Sequence, residues 1–209
     1  MSTNVDSLIE EKKTTQRAPL ERFLNYLRTK KIISHVHNAI VLDFGCGSTL
    51  RTLRSIGHLT KSRYGIDSYF KNDAPKRTPD GISVVGSFSH LNSMLKQNGE
   101  AIDVIISLAC FEHMETSDFK NVLAELKNIS RDGALIVGTV PRPPAKPVLE
   151  FLSYRLGLID RSQIEDHKVY YDQKSLANAL KGTGWELSYY TTFQFGMNSF
   201  FRMEKTKNL

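Results

Sequence analysis

Apolar residues along this chain follow two rhythms. Short, mostly apolar runs fall at 40–43, 64–66, 82–85, 102–107 and 135–139, and between them apolar positions recur every three or four residues at 50–59, 90–97 and 118–129. The runs predict strands buried on both faces, and the spaced positions predict amphipathic helices. The helix over 118–129 is the most explicit. Phe119, Val122, Leu123, Leu126 and Ile129 share one face, and Arg131-Asp132-Gly133 is expected to turn the chain before the next strand. Ahead of the first strand, Pro19 opens a helix with Leu20, Phe23, Leu24 and Leu27 on one side, and the polar stretch 1–16 before it is expected to be disordered.

Strands that alternate with helices imply an α/β fold, a doubly wound and mostly parallel sheet covered on both faces. After the fifth strand, Pro141-Arg142-Pro143-Pro144 cannot continue a helix or a central strand, so 141–171 reads as an insertion that leaves the sheet at its binding edge and acts as a lid. A helix at 173–181 ends in Gly182-Thr183-Gly184. Strands at 185–191 and 198–203 then make an antiparallel edge hairpin, for seven strands in a single domain spanning 17–209. Ligands in such sheets bind beyond the carboxyl ends of the strands.

Composition narrows the class. With 209 residues, 40% hydrophobic and 24% charged, the chain has the balance of a globular protein with one core. It has no apolar run of membrane-spanning length. Its start is polar and carries Asp6, Glu10 and Glu11 where a signal peptide needs a basic patch and an apolar stretch, so the expected location is the cytoplasm. Two cysteines, Cys46 and Cys110, are then expected as reduced, buried thiols, with no disulfide and no metal site. The net charge of +6 is dispersed over short clusters such as Lys12-Lys13 and Lys30-Lys31, which argues against nucleic acid as the main partner.

The chemistry concentrates in Val41-Leu42-Asp43-Phe44-Gly45-Cys46-Gly47-Ser48, an apolar strand that ends in an acid and runs through glycines into a helix start. Glycines let a ligand approach the backbone. An acid at the strand end repels a pyrophosphate and attracts an ammonium group, which disfavours a dinucleotide. This segment resembles the first motif of the class I S-adenosylmethionine-dependent methyltransferases. Three more segments are similar to that family's motifs in order: Tyr64-Gly65-Ile66-Asp67, Ile102–Ser107 followed by Phe111-Glu112-His113, and Arg131–Val137. The resemblance implies a Rossmann-like methyltransferase fold with S-adenosylmethionine as cofactor. The site it implies is made of Asp43, Gly45, Cys46, Gly47, Asp67, Ser87, Phe88, Ser107 and Leu108. Thr49 stands where many members have a third glycine. Ser87 stands where many have an Asp that contacts adenine, so the Ser87 hydroxyl or the Phe88 backbone is expected to serve.

The Asn/Asp-Pro-Pro-aromatic signature of amino-methylating enzymes is absent after the fourth predicted strand, where the chain reads Ser107-Leu108-Ala109-Cys110. The expected reaction is methyl transfer to a hydroxyl of a small molecule or sugar. An acceptor hydroxyl needs a base within hydrogen-bond reach, and His113 and His167 are the candidates. The alternatives are an RNA methyltransferase and a non-catalytic S-adenosylmethionine-binding protein.

Overall fold

The computed structural model describes residues 19–143 and 168–206, with side chains from residue 24 onward. The segment 1–16, most of the expected lid (144–167) and therefore His167 lie outside the described residues. In chain order the elements are α1 (Pro19–Ile32), β1 (Ile40–Phe44), α2 (Arg51–Ser55), β2 (Ser62–Ile66), β3 (Lys76–Arg77), β4 (Ile82–Val85), α3 (Phe88–Asn98), β5 (Ile102–Leu108), α4 (Thr116–Ile129), β6 (Ser130–Pro141), α5 (Gln173–Ala179), β7 (Trp185–Phe193) and β8 (Asn198–Lys205).

The strands form one sheet in the order β3-β4-β2-β1-β5-β6-β8-β7. The run from β4 to β6 is parallel, whereas β3 is antiparallel to β4, β8 to β6, and β7 to β8. This is the expected doubly wound sheet with an antiparallel edge pair, with eight strands in place of seven. The additional strand, β3, is two exposed basic residues, too short and too polar to leave an apolar signature. The last strand in sequence is not the last in space. In β8, Asn198–Phe201 is buried without interruption because neighbours flank it on both sides, while β7 at the edge is mostly exposed or half-buried.

Three boundaries differ from expectation. Arg131-Asp132-Gly133 does not separate α4 from the following strand. It lies inside β6, where the pairing with β5 shifts register and Gly133 takes a φ of +74°. Pro141 is the last residue of β6, opposite Asn198. It is tolerated because β5 has stopped pairing at Leu108–Thr139, so no neighbour there needs its missing N–H. The helix expected over 50–59 is only α2, Arg51–Ser55, entered through Leu50 at a left-handed φ of +53°.

The two faces of the sheet carry separate cores. Ile40, Leu42 and Phe44 of β1 pack with Leu91 and Leu95 of α3, Phe119, Leu123 and Leu126 of α4, and Leu176 of α5. Val41 points the other way and packs with Ile32 at the end of α1 and Leu53 of α2. Trp185 of β7, almost fully buried, donates from Nε1 to the Leu123 carbonyl at 3.0 Å and so ties the edge pair to α4. At the amino end of the sheet, Asp103 accepts the Ile40 N–H at 2.8 Å and pairs with Arg131 at 2.5 Å, a structural role. No helix among the described residues is long and apolar enough to cross a membrane.

Candidate cofactor and active site

At the carboxyl end of β1 the backbone turns through Gly45 and Gly47, with φ values of +80° and +62° that only glycine adopts without strain. The Gly45 N–H donates to the Ile66 carbonyl at 2.9 Å, and the Gly47 N–H donates to Asp67 Oδ2 at 2.8 Å. The second Asp67 oxygen accepts the Tyr69 N–H at 2.8 Å and caps a single helical turn. The loop after β1 is thus fastened to the end of β2 by the acid expected to hold a ribose. A carboxylate oxygen has two acceptor positions, so each Asp67 oxygen keeps one for a ligand hydroxyl.

The two glycines do different work. A Cβ on Gly45 would lie 2.5 Å from Cys110 Sγ, whereas a Cβ on Gly47 would meet nothing within 4 Å. Gly45 therefore lets the loop after β5 approach, and Gly47 borders open space. Gly65, opposite Asp43 in β2, makes room for Cys46, whose Sγ would be 2.8 Å from a Cβ there. Both thiols are packing groups. Burial and the neighbouring acids push them well above the usual thiol range, so they are protonated and not nucleophilic.

Asp43 is 3% exposed. Burial first and the Asp67 charge second push its carboxyl up to about 7. Beyond the carboxyl end of β4, Ser87 caps α3 by accepting the His90 N–H at 3.3 Å and lies 3.0 Å from the Ser89 hydroxyl, so its oxygen is engaged locally. The Phe88 ring stacks on Phe44 at 6.1 Å. Ser107 is fully buried at the end of β5 with its hydroxyl unpartnered, and Leu108 packs towards the α1 and α2 side. His113 is half-buried in the single helical turn after β5.

The chain matches, over residues 11–189, the family described as a methyltransferase domain. It belongs to that family. No curated protein matches it in sequence. Among solved structures, the methyltransferase is similar to a chain of the complex between the Haloferax volcanii Trm112 methyltransferase activator and a methyltransferase. That match has a TM-score of 0.65 and 13% identity, covering 93% of this chain and 96% of the other. It is also similar to the magnesium protoporphyrin IX methyltransferase of Synechocystis PCC 6803 with bound SAH, at a TM-score of 0.55 and 11% identity over 99% and 90% of the two chains. A variant of the 16S rRNA (adenine(1408)-N(1))-methyltransferase of Catenulisporales acidiphilia with SAM matches at a TM-score of 0.54 and 14% identity, over 87% and 91%. The class I methyltransferase fold expected from the four motifs is the fold of this chain.

The residues present in the methyltransferase fit S-adenosylmethionine. Gly47 borders open space, Asp67 keeps spare acceptors, and Asp43 is a buried acid whose charged neighbour is another acid. A cationic ligand end relieves that arrangement, and the amino-acid end of the cofactor supplies one. A pH dependence follows. In the free protein Asp43 is protonated below about 7, and an ammonium group prefers the carboxylate. S-adenosylhomocysteine binding should therefore weaken as pH falls below about 7, approaching tenfold per unit, with a proton released on binding. Methylthioadenosine, which lacks the amino-acid end, should show no such slope by calorimetry. Equal slopes for the two ligands would remove Asp43 from the ammonium subsite.

Sequence reasoning singled out His113 in the turn after β5, while burial singles out its neighbour. Glu112 is 1% exposed and one of its oxygens has no hydrogen-bond partner. The signal in the sequence was an acid held between Phe111 and a histidine, but its burial depends on where Phe111 packs. Tyr171, 3% exposed with an unpartnered hydroxyl, was likewise not separable from Tyr170 by sequence.

Proposed function

We propose that this methyltransferase transfers the methyl group of S-adenosylmethionine to a hydroxyl of a small molecule or sugar, in the cytoplasm. When bound, the cofactor supplies a methyl group made electrophilic by the sulfonium. The observation that carries the reading is the loop after β5. In place of the amino-methylating signature it has Ser107-Leu108-Ala109-Cys110, which packs against Gly45 and leads into a turn bearing Glu112 and His113. A hydroxyl acceptor, unlike a basic amine, must lose a proton as it reacts, and this turn carries a carboxyl and an imidazole, side chains of the kind that can take one. The chain's other contributions are alignment by the fixed loops after β1 and β5 and exclusion of water by the apolar core beneath them.

Fold does not choose the acceptor, since enzymes for a porphyrin and for rRNA share this one at 11% and 14% identity. The test is a cofactor-consumption screen across sugar nucleotides, phenols, hydroxy acids, a magnesium porphyrin and 16S rRNA. The expected result is turnover with a hydroxyl acceptor and a methyl ether product by mass spectrometry. Turnover on RNA alone would establish the RNA reading. Tight S-adenosylhomocysteine binding with no turnover on any of them would support the non-catalytic one.

A further inference from the structure

The turn after β5 is built to carry one carboxyl into the interior. Ala109 adopts a left-handed φ of +53° while its N–H donates to the Thr139 carbonyl at 2.9 Å, which reverses the chain at the end of β5. Phe111 then anchors the turn in the core, its ring 5.8 Å from Phe44, 5.0 Å from Phe119 and 6.2 Å from Phe201. With Phe111 fully buried, Glu112 is drawn in behind it. The Glu112 carbonyl accepts two N–H groups, from Lys168 at 2.8 Å and Val169 at 3.1 Å, so the chain that rejoins the body there closes onto this residue. The backbone of the turn is therefore secured without the Glu112 side chain.

That side chain is left with work undone. Glu112 Oε2, Tyr171 Oη, Ser107 Oγ and Thr139 Oγ1 are all buried without a hydrogen-bond partner, and they come from the turn, the rejoining segment and the ends of β5 and β6. Buried polar atoms are nearly always bonded, and of these four the Glu112 and Tyr171 groups also act on one another electrostatically, so the two are near enough to share a partner. The charged and titratable groups that act with Glu112 are Arg28 on α1, Cys110 on the same loop and Tyr171 on the rejoining segment. Arg28 and the residue's own backbone N–H favour the carboxylate, but burial outweighs both and pushes the carboxyl up to about 7. Tyr171 is raised by burial and by Glu112, so its hydroxyl stays protonated and available as a donor.

We propose that the acceptor hydroxyl is held between Glu112 Oε2 and Tyr171 Oη, and that Glu112 is the catalytic base that removes its proton. The inference rests on the hydroxyl-methylation reading and names the base within it. Tyr171 donates to a lone pair of the acceptor oxygen, and Glu112 accepts that oxygen's hydrogen. As the oxygen–methyl bond forms and the sulfur–methyl bond breaks, the sulfur keeps the bonding pair. The proton leaves the acceptor for the Glu112 carboxylate, which returns it to solvent.

Glu112→Gln removes the base and keeps the shape. A structural measurement comes first, and it needs no acceptor. A glutamate raised from 4.5 to about 7 in the fold resists ionisation, so the wild-type protein loses stability relative to the variant as pH rises from about 4.5 to about 7. The variant's Tm should therefore exceed the wild-type Tm at pH 8 and match it near pH 4.5, with S-adenosylhomocysteine affinity unchanged by calorimetry. On a hydroxyl acceptor found by the screen, kcat should fall by ~100-fold or more. The rise of wild-type kcat/KM through about pH 7 should disappear with it. Tyr171→Phe should raise KM and leave the pH profile in place.

A lower Tm for Glu112→Gln at pH 8 would overturn the proposal, because it would make the carboxyl a structural group. So would a persisting pH inflection in that variant, or an inflection lost instead in His113→Ala. A wild-type protein that methylates no hydroxyl would strike the underlying reading, a result distinct from either of these.

Discussion

Asp67→Ala is expected to weaken S-adenosylhomocysteine binding by about 1.5–3 kcal/mol, roughly ten- to more than a hundredfold. Two losses add. The ligand loses a charged acceptor for its hydroxyls, and the loop that forms its floor loses the anchor at the Gly47 N–H. The Tyr69 N–H at the start of the next turn is also left uncapped, so stability should fall by about 1 kcal/mol, measurable in urea. Asp67→Asn separates the two effects. It keeps one acceptor oxygen for a backbone N–H but cannot serve both Gly47 and Tyr69 as well as the ligand, so it should fall between wild type and Ala. Calorimetry that returns wild-type affinity for Asp67→Ala would take this residue out of the cofactor site.

The second large effect is expected where no ligand is touched. A methyl group on Gly86, between β4 and α3, would run into the Phe70 carbonyl oxygen and the backbone N and Cα of Lys71. These are main-chain atoms of the turn that Asp67 caps, and they cannot swing aside as a side chain could. Gly86→Ala should therefore cost about 3 kcal/mol of stability by urea unfolding and should also weaken cofactor binding, since it wedges the Asp67 turn away from Ser87 and Phe88. Gly99→Ala provides the comparison. Its Cβ would meet nothing within 4 Å, and only its φ of +62° is unfavourable, so about 1 kcal/mol is expected with no change in binding. Equal stability losses in the two variants would show that the Gly86 contact is not what restricts that position.

The strands buried on both faces and the glycine turn after β1 were legible in the sequence alone. β1, β4 and β5 are mostly apolar because helices cover both sides of them, so consecutive residues such as Ile40-Val41-Leu42, Val84-Val85 and Val104-Ile105-Ile106 are buried in turn on opposite faces. The loop after β1 was legible for a similar reason. Its chemistry is carried by neighbours in sequence, Asp43 through Gly47, so tertiary structure had only to bring Asp67 to it. β3 left no trace, since two exposed basic residues bury nothing. The order of the last two strands was not readable either. An antiparallel pair was evident, but whether β7 or β8 faces β6 depends on pairing across a long stretch of chain, and local pattern does not encode that choice. Arg131-Asp132-Gly133 looked like a turn by composition and became part of β6 because the ladder to β5 absorbs the extra residues in a register shift.

Only the tertiary structure distinguished Glu112 from His113. Side by side in sequence, the two differ because Phe111 is held among Phe44, Phe119 and Phe201 and turns one neighbour into the protein while leaving the other half-exposed. The requirement for glycine at 86 has the same origin, since the backbone of Phe70 and Lys71 crosses it from a different part of the chain. In both cases the deciding contact joins residues distant in sequence, and its physical content, an unsatisfied buried oxygen or a main-chain collision, exists only once the sheet has brought them together.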